Sequence, residues 1–245
     1  MKLLIDIGNT NTALAVLRNK RILKRYFVHS SKKNISTGSL KRLLCRYIVS
    51  IDTIMIVSVV PDFLRTMRSG LKKIFPDARI LVAGEDIEIP IRNKYKKPGE
   101  VGKDRLVTAF AAKTVEKTPV IVVDFGTAVT IDYVNGKGEY CGGFIFPGLR
   151  LALESLEKDT ALLPHIAVKP SGGLIGKNTR SSMNNGLLFG YAAMCDGLID
   201  RLKKKYGRSL RVIATGGDAG MVSRYSRCIK RVYPDLVFKG LMDLG

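Results

Sequence analysis

The sequence has few of the side chains that build metal centres, redox motifs or nucleophilic triads. Its 245 residues include two histidines, His29 and His165, and four cysteines that are widely spaced and form no C-x-x-C pair. Zinc sites and redox motifs place such residues at close spacing. The sequence therefore favours neither, and it predicts two loop histidines and reduced, mainly structural thiols.

Long apolar runs are also missing. No stretch approaches the roughly 18 apolar residues of a membrane-spanning helix. The first apolar run meets Asp6 too early for the hydrophobic region of a signal peptide. Hydrophobic residues still make up 46% of the chain, which is enough to build cores. We therefore expect a cytoplasmic protein with no membrane partner.

Acidic residues are scarce relative to basic ones. There are 21 Asp and Glu against 41 Lys and Arg, which gives a formal net charge of +20. Such an excess raises the possibility of nucleic acid or another polyanion as a partner. The basic residues are scattered, however, without interleaved aromatic residues or a recognisable nucleic-acid motif. Solvated basic faces are the favoured interpretation, and nucleic-acid binding is the minority one.

What the chain does contain is a repeat. The phrase LLIDIGNT at residues 3–10 returns as IVVDFGT at residues 121–127, and each copy leads into a second apolar run and a polar turn. A repeat of this size indicates two similar half-domains, which we predict at residues 1–118 and 119–245. Each copy predicts a tight hairpin with one aspartate and one glycine.

Between these hairpins, hydrophobic spacing predicts alternating strands and helices, the pattern of an α/β fold with mixed sheets. The predicted helices cover approximately residues 39–48 with a serine cap at Ser39, 63–75, 102–117, 149–158 and 179–205. The predicted strands outside the hairpins cover residues 53–60, 79–83 and 211–214.

Glycine-bearing turns recur along the chain at residues 6–10, 102–105, 124–127, 142–148 and 215–218, and all but the fourth carry an acid. An isolated D-x-G is often only an acid that caps a β-turn. Several such turns in one chain, two of them related by the repeat, favour a polyphosphate site. Carboxylates can hold its metal, and free backbone N–H groups can bind its phosphates.

Taken together, these motifs resemble the type III pantothenate kinase family, within the superfamily of acetate and sugar kinases, Hsp70 and actin. The resemblance covers nearly the whole chain. It includes both hairpins and the segment YKKPGEVGKDR at residues 95–105, which matches Y-x-x-P-x-x-V-G-x-D-R. It also includes GGFIFPG at 142–148, LLP at 162–164, GKNT at 176–179 and TGGD at 215–218. The implied fold is two ribonuclease-H-like, actin-like halves with mixed sheets and a cleft between them.

The resemblance implies ATP-dependent phosphorylation of pantothenate, the first step of coenzyme A biosynthesis, with Mg²⁺ and a monovalent cation, K⁺ or NH₄⁺. Asp6 and Asp124 would hold cations, the monovalent one near Asp124. The implied ATP-binding residues are Asp6, Gly8, Asn9, Thr10, Thr127, Gly216 and Gly217.

The implied acceptor site contains Tyr95, Gly102, Lys103, Asp104, Arg105 and Thr179. Asp104 is the candidate general base, with a dipole-stabilising acid in the first turn of a helix as the alternative. Arg105 would bind the substrate's carboxylate or amide oxygens, with a surface ion pair as its alternative. Tyr95 and Thr179 are assigned by resemblance alone, with loop packing and helix capping as alternatives. The family also implies a homodimer in which Thr179 acts on the neighbouring subunit.

Two other functions stay open. One is a regulatory or nucleic-acid-associated paralogue without kinase activity, supported independently only by the net charge. The other is a kinase for a different small alcohol. The chain also departs from the family pattern at Thr108, where Asn is frequent.

Overall fold

The computed structural model describes residues 1–30, 36–116 and 118–245. The strands are β1 Lys2–Ile7, β2 Asn11–Arg18, β3 Arg21–His29, β4 Thr53–Ser58, β5 Arg79–Val82, β6 Val120–Phe125, β7 Ala128–Val134, β8 Tyr140–Pro147 and β9 Arg211–Thr215. The helices are α1 Thr37–Leu44, α2 Pro61–Ile74, α3 Lys103–Val115, α4 Leu149–Lys158, α5 Thr179–Tyr206, α6 Ala219–Val222 and α7 Leu236–Leu244. Lys117, the predicted end of the α3 helix, lies outside the described residues.

The chain separates into two compact units. Unit 1 comprises Met1–Ile91, Lys97–Ala111 and Val237–Gly245, and unit 2 comprises Arg92–Lys96 and Ala112–Leu236. The boundary near residue 118 between two folding halves stays a prediction. No helix in the described part of the chain is long and apolar enough to cross a membrane.

Unit 1 contains a mixed sheet with strand order β3-β2-β1-β4-β5. The first three strands form an antiparallel meander, whereas β4 and β5 run parallel to β1. His29 pairs with Asn11 as the last residue of β3, so the prediction of a loop at His29 is wrong. Strand β3 extends to His29 because its pairing with β2 continues as far as Asn11, the first residue of β2.

Helices α1 and α2 cover one face of this sheet. In α2 the buried side chains of Phe63, Met67, Leu71 and Ile74 recur at helical spacing and pack against the strands. The cap of α1 is Ser36, whose side-chain oxygen accepts a hydrogen bond from the Ser39 N–H at 3.1 Å. The prediction of Ser39 as the cap is therefore wrong, and the helix begins earlier than the apolar pattern indicated.

Unit 2 repeats this plan with strand order β8-β7-β6-β9. Its strands β6, β7 and β8 form the antiparallel meander, and β9 runs parallel to β6 as β4 does to β1. The predicted α/β class with mixed sheets is confirmed. The duplicated phrase occupies the same place in both sheets, at the turn between the first two strands of each meander.

The core of unit 2 lies between this sheet and α5. Leu188, Ala192, Cys195 and Ile199 form one buried stripe of the helix against the apolar strands. All four cysteines are free thiols, namely Cys45, Cys141, Cys195 and Cys228. Burial raises the pKa of the Cys195 thiol to about 12, so it packs as a small apolar side chain.

The buried carboxylate of Glu116, directly after α3, is hydrogen-bonded to two residues that follow α6 in the chain. Glu116 is 5% exposed and accepts hydrogen bonds from Arg231 at 2.5 and 2.7 Å and from the Tyr233 hydroxyl at 2.9 Å. Burial by itself raises the pKa of Glu116, but the hydrogen bonds from Arg231 and Tyr233 outweigh it. The net result is a pKa below the ordinary value.

A lowered folded-state pKa means that the ionised carboxylate stabilises the fold above the unfolded-state pKa. This contribution is lost as the pH falls through the folded-state pKa. We expect Glu116→Gln to lower the free energy of unfolding at pH 7 by about 1–3 kcal/mol. The difference from wild type should vanish in acid, because protonated Glu116 resembles glutamine. Urea unfolding of both proteins between pH 7 and pH 3 tests this, and a difference independent of pH would contradict it.

Candidate active site

The first acidic hairpin lies at the carboxyl ends of β1 and β4 in unit 1. The Gly8 N–H donates to the Asn11 carbonyl at 3.1 Å and closes the turn. A Cβ on Gly8 would lie 3.0 Å from that same oxygen, so glycine avoids a tight contact in this turn. Thr10 is held from the other side because its carbonyl accepts the Ser30 N–H at 2.7 Å.

Asp104 comes to the same edge of this sheet. Strand β4 continues into Val59, whose N–H donates to the Ile7 carbonyl at 3.2 Å, next to Asp6. Val59 also supports the start of α3, since a Cβ on Gly102 would be 3.4 Å from its Cγ1. Within unit 1, the strand that ends in the Asp6 hairpin and the start of α3 therefore both lie against Val59.

The Asp104 carboxylate is held over the beginning of α3. Its Oδ1 accepts the Arg105 N–H at 2.7 Å, and a Cβ on Gly102 would overlap with this oxygen. Gly102 therefore leaves room for the carboxylate. Lys103 lies beside it, and its alkyl chain packs over Gly84, where a Cβ would be 2.8 Å from the Lys103 Cδ.

The second acidic hairpin lies at the carboxyl ends of β6 and β9 in unit 2. Its turn is closed by the Gly126 N–H, which donates to the Ala128 carbonyl at 3.1 Å. The Thr127 carbonyl accepts the N–H of Gly148 at 2.9 Å, and a side chain on Gly148 would overlap with this turn. Gly148 also precedes α4, so the free N–H groups at the start of that helix lie beside the hairpin.

A second glycine turn follows β9 and shapes the surroundings of Asp124. Gly216 has φ +93°, and a Cβ there would lie 2.5 Å from Asp124 Oδ1 and 2.5 Å from the Phe125 carbonyl. The N–H of Asp218 donates to the same carbonyl at 3.2 Å. Burial raises the pKa of Asp218, which stands at the start of α6. Gly217, in contrast, faces open space.

The structure places Tyr95 in unit 2, away from the Asp124 turn. Its ring lies against Gly142, where a Cβ would be 2.9 Å from Cε2, and 6.2 Å from the Tyr140 ring. Gly142 is near the beginning of β8, whereas Pro147 at the other end of β8 pairs with Ala128 beside the hairpin. Within unit 2, Tyr95 and the Asp124 turn are therefore at different ends of the sheet.

Thr179 is the first residue of α5 and is exposed. It does not cap the helix. The cap is Asn178, whose side-chain oxygen accepts the Ser181 N–H at 2.9 Å, while the Ser181 hydroxyl accepts the Asn178 N–H at 3.1 Å. The capping alternative for Thr179 is thus wrong, and its hydroxyl is left at the surface beside a rigid helix start.

Each unit supplies one carboxylate beside a glycine turn, namely Asp6 in unit 1 and Asp124 in unit 2. Carboxylates are the side chains that usually hold Mg²⁺ together with substrate phosphates. The space that a Cβ on Gly216 would fill is the space that the Asp124 carboxylate needs. Among residues 1–30, 36–116 and 118–245 there is no cluster of three or more His, Cys, Asp or Glu side chains that could hold a metal.

Sequence reasoning left out some residues that shape these turns. Gly148 and Asp218 stand in motifs that were recognised, but neither was assigned to the site. The sequence predicts Val59 only as part of the strand at residues 53–60. The signal that could have identified Gly148 is its position directly after β8 and directly before α4, and Asp218 stands directly before α6.

Solved structures with similar folds cover the full length of the chain. A Campylobacter jejuni protein assigned to the Baf family of transcriptional activators has a TM-score of 0.60 at 19% identity, over 99% of this chain and 96% of that one. A Sinorhizobium meliloti protein assigned as a 2-dehydro-3-deoxygalactonokinase has a TM-score of 0.59 at 11% identity, over 100% and 98%. At these identities the likeness concerns the fold, which is that of the actin-like sugar kinases.

Sequence comparison then defines the family. The model for type III pantothenate kinase matches residues 2–201. Curated type III pantothenate kinases are 38% identical in Oleidesulfovibrio alaskensis, over 99% of this chain and 95% of the relative, and 38% identical in Rhodospirillum rubrum, over 99% and 96%. The Listeria monocytogenes enzyme is 36% identical over 98% and 95%. The chain belongs to the type III pantothenate kinase family.

Proposed function

We propose that this protein transfers the γ-phosphoryl group of ATP to the primary hydroxyl of pantothenate, the first step of coenzyme A biosynthesis. The supporting observation is the position of Asp104, which lies at the same edge of the sheet as the Asp6 hairpin. Family membership supports the choice of substrate and the need for ATP and a divalent metal. The regulatory paralogue has only the net charge in its favour.

In this proposal Asp104 accepts the proton of the attacking hydroxyl, while Arg105 binds the carboxylate or amide oxygens of pantothenate. Gly102 and Lys103 shape the start of α3 around the acceptor, and Tyr95 and Thr179 complete the pocket. Asp6 and Asp124 would hold Mg²⁺, which would neutralise charge on the transferred phosphoryl group when bound.

Both hairpins serve the nucleotide in the same proposal. Asp6 and Asp124 hold the cation, and the turns place their N–H groups and hydroxyls toward the phosphates. The contributing residues would be Gly8, Asn9, Thr10 and Thr127 from the hairpins, with Gly216 and Gly217 after β9. Because Gly8, Gly126 and Gly216 lack side chains, the phosphates can approach the backbone closely.

Three finer features belong to this proposal. A monovalent cation, K⁺ or NH₄⁺, would bind near Asp124. Two copies of the chain would form a homodimer in which Thr179 contributes to the neighbouring pocket. The protein would be located in the cytoplasm, where ATP is present.

A direct assay tests the proposed reaction. Purified protein with ATP, Mg²⁺ and K⁺ is offered a panel of alcohols, and the phosphorylated products are identified by mass. We expect product from pantothenate and a lower rate when Na⁺ replaces K⁺. Product only from another alcohol would indicate a different acceptor, and salt-sensitive binding of duplex DNA without any product would favour the regulatory alternative.

A further inference from the structure

A small basic pocket opens in unit 2 where β9 begins. The cavity has a volume of about 190 Å³, and its charged wall consists of Lys203, Arg211, Lys230, Arg231 and Glu116. Three less polar side chains complete the wall, namely Leu210, Val212 and Cys228. The space corresponds to roughly six water molecules, so it suits a small polar group rather than a drug-sized ligand.

The charges of this pocket do not balance. Glu116 is neutralised by Arg231, which donates to both of its carboxylate oxygens, and Tyr233 donates to one of them. Lys203, Arg211 and Lys230 form no ion pair with a carboxylate in the described part of the chain. The wall therefore carries four basic side chains against the single carboxylate of Glu116, which Arg211 also attracts, while Asp196 and Asp200 lie near Cys228.

The chemistry of the wall selects the ligand. Arginine presents a planar set of donors that matches phosphate oxygens, and lysine adds a point charge. A compact anion with several acceptor oxygens satisfies donors from three directions, whereas chloride does not. The apolar part of the wall includes the buried side chain of Leu210, whereas Arg211 and Lys230 are exposed.

The pocket is distinct from the proposed active site. Arg211 pairs with Val120 at the beginning of β6, whereas Asp124 pairs with Thr215 at the other end of the same two strands. Four steps along a strand correspond to about 13 Å. An anion in the basic pocket therefore cannot be a phosphate of a nucleotide bound at the Asp124 turn.

We propose that the basic pocket binds a phosphate dianion, either as inorganic phosphate or as the phosphoryl group of a small phosphomonoester. Arg211 and Lys230 donate hydrogen bonds to the phosphate oxygens from the exposed side, and Lys203 donates from α5. The Glu116–Arg231 pair keeps the acid from repelling the ligand. The inference does not depend on which alcohol the enzyme phosphorylates.

Calorimetric titration tests this site. The protein is first saturated with a non-hydrolysable ATP analogue and Mg²⁺, so that the nucleotide site is occupied. It is then titrated separately with inorganic phosphate and with glycerol 3-phosphate at constant ionic strength. The double variant Arg211→Gln/Lys230→Gln is compared with Lys204→Gln/Arg208→Gln, which removes two exposed charges outside the pocket.

We expect wild type and the control variant to bind one anion, and the pocket variant to lose at least about tenfold in affinity for each charge removed. The tighter of the two probes identifies whether free phosphate or an ester is preferred. Equal binding by the pocket variant, or no binding by wild type, would overturn the proposal. Kinase activity and thermal unfolding of the pocket variant verify that it is folded. The anion affinity of a Lys203→Gln variant tests the third basic side chain of the pocket independently.

Discussion

Replacing Asp104 by asparagine is expected to lower kcat by about 10² to 10⁴ while leaving nucleotide binding and the fold intact. Asparagine keeps an oxygen that can accept the Arg105 N–H, which Asp104 Oδ1 now accepts at 2.7 Å. What it cannot do is take a proton from the attacking hydroxyl. The loss should therefore fall on turnover, measured in a coupled assay at saturating ATP and pantothenate.

The same variant discriminates between the two interpretations of Asp104. An acid that only stabilises the first turn of α3 contributes about 0.3–1 kcal/mol to stability and nothing to kcat. The matched control is Asp77→Asn, which removes the charge of an exposed aspartate in the same unit. If Asp104→Asn retained a near-normal kcat, Asp104 would be excluded as the base.

Adding a methyl group at Gly216 is expected to lower the free energy of unfolding by about 2–5 kcal/mol. The positive φ of +93° is unfavourable for alanine by about 1–2 kcal/mol. The new Cβ would also lie 2.5 Å from both Asp124 Oδ1 and the Phe125 carbonyl, and such overpacking costs about 1–3 kcal/mol. Because the Asp124 carboxylate must move, ATP-dependent turnover should fall as well.

Gly220→Ala is the matched control for Gly216→Ala. Gly220 is exposed in the short helix α6, and a Cβ there meets nothing within 4 Å. Chemical unfolding and steady-state kinetics of the two variants separate the local steric effect from a general effect of alanine. Equal stability of Gly216→Ala and wild type would show that the turn after β9 does not constrain Asp124.

Local sequence carried enough information to predict the hairpins and several helices. Helix α4 is found at Leu149–Lys158, the same range that the sequence predicts. The duplicated phrase predicted two similar turns because a strand, an aspartate and a glycine determine a tight hairpin locally. The structure then shows the same strand order around both.

Other features depend on tertiary contacts that no short segment reveals. The helix near residue 40 begins at Thr37 because the Ser36 hydroxyl captures the Ser39 N–H, although apolar periodicity begins later. Lys103 packs over Gly84, and the basic pocket collects Glu116, Lys203 and Lys230 from distant parts of the chain. Tyr95 was assigned from its motif alone, and a motif does not say which end of a sheet its side chain contacts.

The three candidate aspartates differ in how firmly the backbone around them is paired. The Asp6 and Asp124 hairpins are fixed by the pairing of β1 with β2 and of β6 with β7, so a change there disturbs a whole sheet. The chain between β5 and α3 is free of such ladders apart from isolated bridges at Ala83 and Asn93. We therefore expect substitutions at residues 94–102 to cost less folding stability than substitutions within the two hairpins.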